Sequence, residues 1–320
     1  MDIFVASYTA SKAFQKWGPA WEDAFFHELG AVDGVTGIET PWLGRIHHAD
    51  DDWMLAWLKG GGKNWKIQYT TAPATLKHGA ADPRYGLASP DEASRQAAVS
   101  FFAEARQKIR ALEDLLHRQP VAAVALFSAP KAVGSAEALR RSLDEITGWD
   151  WGDVRLWLEH CDRYKPGQSY QKGFLSLNDE IDAVRANGSP ILANSLNWGR
   201  SAIEFRDGDR VVEHVRQAAA FRLDALTFSG ANDRPVRSYD AWSDFHAPFG
   251  DGVAPEYREP TSVLTVNRVK AALAAAPSLK AVGLKIPGAW YGDDPKRRVE
   301  AIKAHLAIIR DAMAASMNST

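Results

Sequence analysis

Eight short apolar runs, each followed by a longer stretch of helical periodicity, succeed one another along this 320-residue chain. The runs are Ile3–Tyr8, Thr36–Glu39, Trp65–Thr70, Val121–Ser128, Val154–Glu159, Ile191–Asn194, Ala225–Ser229 and Leu279–Ile286. Strands that alternate with helices pair in parallel through right-handed crossovers, and eight such units close on themselves. The expected fold class is α/β, a closed eight-stranded parallel (β/α)8 TIM barrel. Barrels of this kind reach this length as one unit, so the expected organisation is a single domain over residues 1–320. No linker, low-complexity segment or repeat interrupts the pattern, and 46% hydrophobic residues suffice for a large core.

The helical slots carry their own signals. Ser89-Pro90-Asp91-Glu92 has the form of a capping box, with Ser89 at the N-cap and proline in the first helical position. Behind it Phe102, Ala105, Ile109, Leu112 and Leu116 recur at three- and four-residue intervals, and Val299, Ile302, Leu306, Ile309 and Met313 repeat the stripe in the last helix. Further helices are expected at Trp21–Leu29, Asp51–Lys59, Glu137–Ile146, Leu177–Ala186, Val211–Phe221 and Val263–Ala275. A long irregular stretch, roughly residues 230–260, follows the seventh strand and is rich in Gly, Pro, Asp and aromatics. Its position and aromatic content read as an active-site lid rather than a loose insertion.

Charge is nearly balanced, 38 basic against 40 acidic residues, which argues against a nucleic-acid partner. No apolar run reaches the roughly 20 residues that span a bilayer, and MDIFVASYTA lacks the basic start of a signal peptide. Cys161 is the only cysteine, so neither an intrachain disulfide nor a cysteine-built zinc site is available. A cytoplasmic protein without a membrane association is the expectation. Homodimerisation is open.

In barrel enzymes the active site lies at the C-terminal ends of the strands. Here those ends carry Glu39 on the second strand, Gln68 on the third, Ser128 on the fourth and Glu159-His160-Cys161-Asp162 on the fifth. The sixth gives Asn194 with Asn197, Trp198 and Arg200 beyond it, the seventh Thr227 and Ser229, the eighth Lys285. Alternation along a strand puts Glu159 inward when Leu156 and Leu158 face the helices, and treats Thr227, Ser229 and Lys285 alike. Such a ring suits hydroxyls and carbonyls, so the expected ligand is a small polar, carbohydrate-like molecule. Plainer readings stand beside these. His160, pointing the other way, suits packing; Cys161 suits a small buried side chain; Lys285 suits a salt bridge with Glu159 or Glu39. Lys59-Gly-Gly-Gly-Lys63 precedes a strand and reads as a turn, not a phosphate loop. Of twelve tryptophans, Trp42, Trp198, Trp242 and Trp290 follow strand ends, where indole rings stack on sugars; core packing accounts for the rest.

At Gly37-Ile38-Glu39, Leu156–Glu159, Asn194 with Asn197, and Asp244-Phe245-His246 the chain resembles the xylose-isomerase-like barrel superfamily, which includes sugar epimerases, inosose dehydratases and apurinic endonucleases. The segments GIETPW, LWLEHCD and SLNWGR are similar to a branch known as a domain of unknown function. The resemblance implies a divalent metal held by Glu, Asp, His and Glu on the fifth to eighth strands. By position these become Glu159, Asn194, Ser229 (or Thr227) and Lys285, and an ammonium group repels the cation it would have to bind. No cofactor is therefore expected. A rearranged metal site drawn from Glu159, His246, Asp244 or Glu39 is the alternative.

The leading reading is an isomerase, epimerase or lyase on a sugar or keto-sugar. Glu159 would take a proton next to a carbonyl, Lys285 would stabilise the enolate, and His246 or Asp162 would act as acid. Glu39, Trp42, Gln68, Asn194, Asn197, Trp198, Arg200, Ser229, Trp242 and Trp290 would bind substrate. The rivals are an inactive barrel that binds a carbohydrate-like ligand and, more weakly, a glycoside hydrolase using Glu39 and Glu159. Balanced charge and missing histidines disfavour an apurinic endonuclease.

Overall fold

The computed structural model describes residues 1–62 and 64–317, so Lys63 of the glycine-rich segment lies outside the described residues. The elements run β1 (Asp2–Ala6), α1 (Ser7–Ala10), α2 (Pro19–Gly30), β2 (Gly37–Pro41), α3 (Asp51–Lys59), β3 (Lys66–Thr70), α4 (Ala72–Ala81), α5 (Glu92–Leu116), β4 (Val121–Leu126) and α6 (Ala136–Thr147). They continue as β5 (Arg155–His160), α7 (Leu177–Asn187), β6 (Leu192–Asn197), α8 (Trp198–Phe205), α9 (Val211–Ala219), β7 (Leu223–Phe228), α10 (Val266–Ala274), β8 (Ala281–Leu284), a 3-10 turn (Gly288–Tyr291) and α11 (Pro295–Met317). The strands follow one another in sequence order around a closed, parallel barrel, as the alternation required. Among the described residues no helix is long and apolar enough to cross a membrane. The chain divides into two compact units, Gly37–Ser195 and Met1–Thr36 with Leu196–Thr320.

In the Gly37–Ser195 unit the register sorts side chains into two faces. Glu39 pairs with Gln68, Gln68 with Ala123, Thr70 with Ala125, and Ala125 with Trp157. Residues side by side in parallel strands share a face, and so do residues two apart, so Glu39, Gln68, Trp157 and Glu159 lie on one side. Ile38, Tyr69, Val124, Leu126, Leu156, Leu158 and His160 lie on the other. That second side is the helix side: His160 bonds Glu180 of α7 and Tyr69 donates to the carbonyl of Ile46. The apolar stripe of α5 is buried at Phe102, Ala105, Ile109 and Leu112, and the helix packs on α6.

In the other unit Thr227 and Phe4 both pair with Gly283, which puts Phe4, Thr227, Gly283 and Lys285 on one face. Val282, Leu284, Leu226 and Phe228 form the opposite, wholly apolar face. α11 buries Val299, Ile302, Leu306 and Ile309 and packs against α2 and α10.

Some boundaries differ from the sequence reading. The N-cap of α5 is Asp91, whose carboxylate accepts the Ser94 amide at 2.9 Å, while Ser89 Oγ accepts the amide of Asp91. Two potential caps stood close together, and the one nearer the apolar stripe took the role. β1 ends at Ala6, with Tyr8 already helical, and β6 runs on to Asn197, which caps α8.

Candidate active site

The Gly37–Ser195 unit brings Glu39, Gln68 and Glu159 to the inner face, buried to 2%, 3% and 3% exposure. Carboxylates that deep need polar partners or a ligand to offset their lost hydration. Behind the wall His160 Nδ1 meets Glu180 Oε2 at 2.6 Å, and the other Glu180 oxygen takes a hydrogen bond from Ser128 Oγ. Ser128, expected in the pocket ring, therefore faces the helices. Glu180 is a residue the sequence reading missed, since an acid in a helix ordinarily marks a solvated face.

Asp162, expected as a candidate acid, is engaged by backbone donors. Its carboxylate accepts the Gln171 amide at 2.6 Å and the Lys172 amide at 3.0 and 3.1 Å, and its carbonyl accepts from Gly173 and Phe174. A carboxylate so enclosed by backbone donors anchors the loop after β5. Trp42 is likewise structural: it shares the face of Ile38 and Thr40, is buried, and lies edge-on to Tyr69 at 5.1 Å. Cys161 is a buried thiol in an apolar cluster with Ala125, Phe127 and Phe174. Asn194 is buried on β6. It stands three residues from Asn197, a spacing that strand alternation assigns to opposite faces.

In the other unit a half-buried polar chain follows β7. Ser229 Oγ lies 2.9 Å from His246 Nδ1, His246 Nδ1 lies 3.3 Å from Asp244 Oδ1, and Asp244 Oδ2 lies 3.4 Å from Arg200 Nε. Asp244 thus bridges a guanidinium and an imidazole, and Asp244 and Ser229 both contact Nδ1 of the His246 ring. Lys285, 1% exposed, sets its ammonium 4.9 Å above the Tyr8 ring. Asn197 caps α8 through Oδ1, which accepts from Gly199 and Arg200; its buried Nδ2 has no hydrogen-bond acceptor among the described residues. An orphaned donor at a strand end is what a polar ligand satisfies. Gly199 is required here, because a Cβ would sit 2.4 Å from the Ser229 carbonyl oxygen. Trp198, by contrast, is buried packing.

The stretch after β7 is folded rather than loose. Gly230 pairs with Ala247 and Asn232 with Ser262. Tyr239, Phe245 and Trp290 stack in sequence at 4.4 and 5.6 Å, and the Arg237 guanidinium lies 4.2 Å over Trp290. Arg237, Trp242 and His246 hold left-handed backbone conformations, with φ of 52°, 61° and 62°. Such strain in non-glycine residues gathers at functional loops. Trp242 and Trp290 are half-buried, so of the four strand-end indoles these two are rim candidates.

The positions carried over from the superfamily offer one carboxylate, one amide, one hydroxyl and the ammonium of Lys285, a donor set that does not fit a divalent ion. Other metal-capable donors exist. Glu204 Oε1 lies 3.8 Å from His214 Nε2, and the His214 Nδ1 lies 3.1 Å from Ser201 Oγ. These sit on α8 and α9, away from strand ends, which is why a reading of strand ends passed over them.

A family profile described as Domain of unknown function (DUF4862) matches residues 4–301. The chain belongs to this family. The DUF4862 chain is also similar to Uncharacterized protein STM3670 of Salmonella typhimurium, 31% identical over 315 residues and covering 96% of both chains. Among solved structures it is similar to an IolI protein with a zinc atom, with a TM-score of 0.63 at 12% identity over 98% of this chain and 99% of that one. An L-ribulose 3-epimerase gives 0.60 at 16% identity over 100% and 97%. The neighbours are xylose-isomerase-like barrels, as the strand-end residues implied, and at these identities they speak for the fold.

Proposed function

We propose that this chain isomerises, epimerises or eliminates from a small sugar or keto-sugar by moving a proton next to a carbonyl. One observation carries the reading: Glu159 stands on the inner face with Glu39 and Gln68, while its neighbour His160 is turned to the helices. Glu159 takes the proton from carbon, and the carbon–hydrogen electron pair becomes the enolate. The buried Lys285 ammonium stabilises that oxyanion, doing by charge what a Lewis acid does elsewhere. His246, oriented by Asp244 and Ser229, returns a proton; Arg200 acts through Asp244 as a positioning residue. Glu39, Gln68 and the orphaned Asn197 amide bind hydroxyls, and Trp242 and Trp290 form the rim; Asn194, on the other face of β6 from Asn197, takes no part in this reading. No divalent ion takes part in this reading, because the carried-over donor set does not suit one.

The test is a comparison of Glu159→Gln, Lys285→Met and the double variant by melting, ligand binding and turnover on a panel of keto-sugars. Glu159→Gln keeps shape and removes the base, so binding persists while the rate falls on the order of a hundred- to ten-thousandfold. Lys285→Met lowers kcat more than it raises KM. A plain salt bridge gives another pattern: each single change destabilises the fold, and the double change restores stability and leaves activity intact. That pattern overturns the assignment.

A further inference from the structure

A cavity of about 340 Å³ lies within the Gly37–Ser195 unit, and neither Glu39, Gln68 nor Glu159 lines it. Its walls are α4, Pro83 and Tyr85 beyond that helix, Pro130–Ala132 after β4, and Tyr170 with Phe174 after β5. The volume falls at the small end of the range that holds small-molecule ligands, roughly 300–1,000 Å³. Its surface is mostly apolar and ring-bearing, with one cation: Lys131, exposed, whose ammonium stands 5.4 Å over the Tyr170 ring.

Two features show that this hollow is built. Its walls are fixed independently of any occupant. Ala88 N donates to the Ala129 carbonyl at 2.7 Å, Ala132 N to the Gly173 carbonyl at 2.8 Å, and Asp162 holds Gln171 and Lys172 as described above. The loops therefore cannot slump inward without breaking these hydrogen bonds. The second feature is Gly79. It lies inside α4 at a right-handed helical position, and a Cβ built on it would meet no atom within 4 Å. Glycine within a helix costs about 0.5–1 kcal/mol relative to alanine, and here no close approach or positive φ calls for it. The room that its missing side chain leaves opens into the cavity.

We propose that this cavity is a binding site for a small planar aromatic ring carrying one anionic group. Tyr85, Phe174 and Pro130 give the ring flat apolar contact, the space beside Gly79 admits its edge, and Lys131 meets the anion at the rim. The site stands apart from the proton-transfer reading, and its test measures binding rather than turnover, so either can fail alone.

The experiment is calorimetric titration of the full chain with 2-naphthoate and with 2-naphthalenemethanol, which keeps the ring and lacks the charge. The wild type binds naphthoate more tightly than the alcohol. Lys131→Met weakens naphthoate by roughly two- to fivefold, the scale of an exposed ion pair, and leaves the alcohol unchanged. Gly79→Leu fills the hollow and abolishes both titrations without lowering the melting temperature. Thr75→Trp, one helical turn away and also lining the cavity, fills it from a different backbone position and gives the same loss. Absence of naphthoate binding to the wild type overturns the proposal. So does undiminished binding to both filled variants, or equal affinity for acid and alcohol in wild type and Lys131→Met.

Discussion

Glu22 is 1% exposed on α2, and burial pushes its carboxyl pKa up to about 8 against a smaller lowering by Ser11 and Arg298. Because the folded value lies above the unfolded one, the stability this group contributes is complete below about 4.5 and is lost as pH rises through 8. Burial holds His47 and His305 the other way, at about 3 and about 4, so their contribution is present above 6.5 and lost as pH falls. Of these three groups only Glu22 acts between about 6.5 and 8. Melting curves across that window should fall with pH in the wild type and flatten in Glu22→Gln, which should be the more stable protein at pH 9. Parallel slopes in the two proteins contradict the assignment. Asn197 gives a second test. Asn197→Ala removes both the cap of α8 and the orphaned Nδ2, and should cost about 1 kcal/mol of stability. Asn197→Ser keeps a capping oxygen and loses only the amide, so it should recover most of that stability while KM stays raised. If KM returns with stability, the amide binds no substrate.

At the level of elements, every strand fell where an apolar run bounded by turn residues stood, because period-two burial leaves a short, dense signature. α3 and α7 also began where acids and serine stood before an apolar stripe: Asp50 and Ser176 cap them through Trp53 and Asp179 amides. What stayed hidden is what sequence spacing cannot express. α4 opens on Ala72-Pro73 and carries Gly79 within it, so its breakers mask its helicity. α8 follows β6 without a connecting residue, which turned expected loop residues Trp198 and Arg200 into helix residues. The pairing of Asp244 with Arg200 depends on the folded course of the stretch after β7, and nothing local in 230–260 announces it. That stretch also yields a prediction. Trp290→Ala removes the last ring of the Tyr239–Phe245–Trp290 stack and the aromatic partner of Arg237. Hydrogen exchange should rise over residues 236–246 while the melting temperature moves little. A global loss of protection, or none, contradicts a locally folded lid.

Across the whole molecule, a barrel similar in fold to that of an L-ribulose 3-epimerase carries a buried lysine, Lys285, just after β8 and an Asp–His–Ser cluster after β7. Two consequences follow for the intact protein. On the proposed reading, the purified protein should keep any turnover after exhaustive chelation; loss of activity restored by Mn²⁺ or Mg²⁺ would show that a metal has been retained by other donors. The most direct measurement is solvent-deuterium incorporation, by NMR, into a keto-sugar at the carbon next to its carbonyl. The wild type should wash deuterium into that position. Glu159→Gln should bind the same sugar and exchange it on the order of a hundredfold more slowly or less. Exchange at the wild-type rate in Glu159→Gln, or turnover of the sugar with no deuterium entering that carbon, contradicts proton abstraction by Glu159.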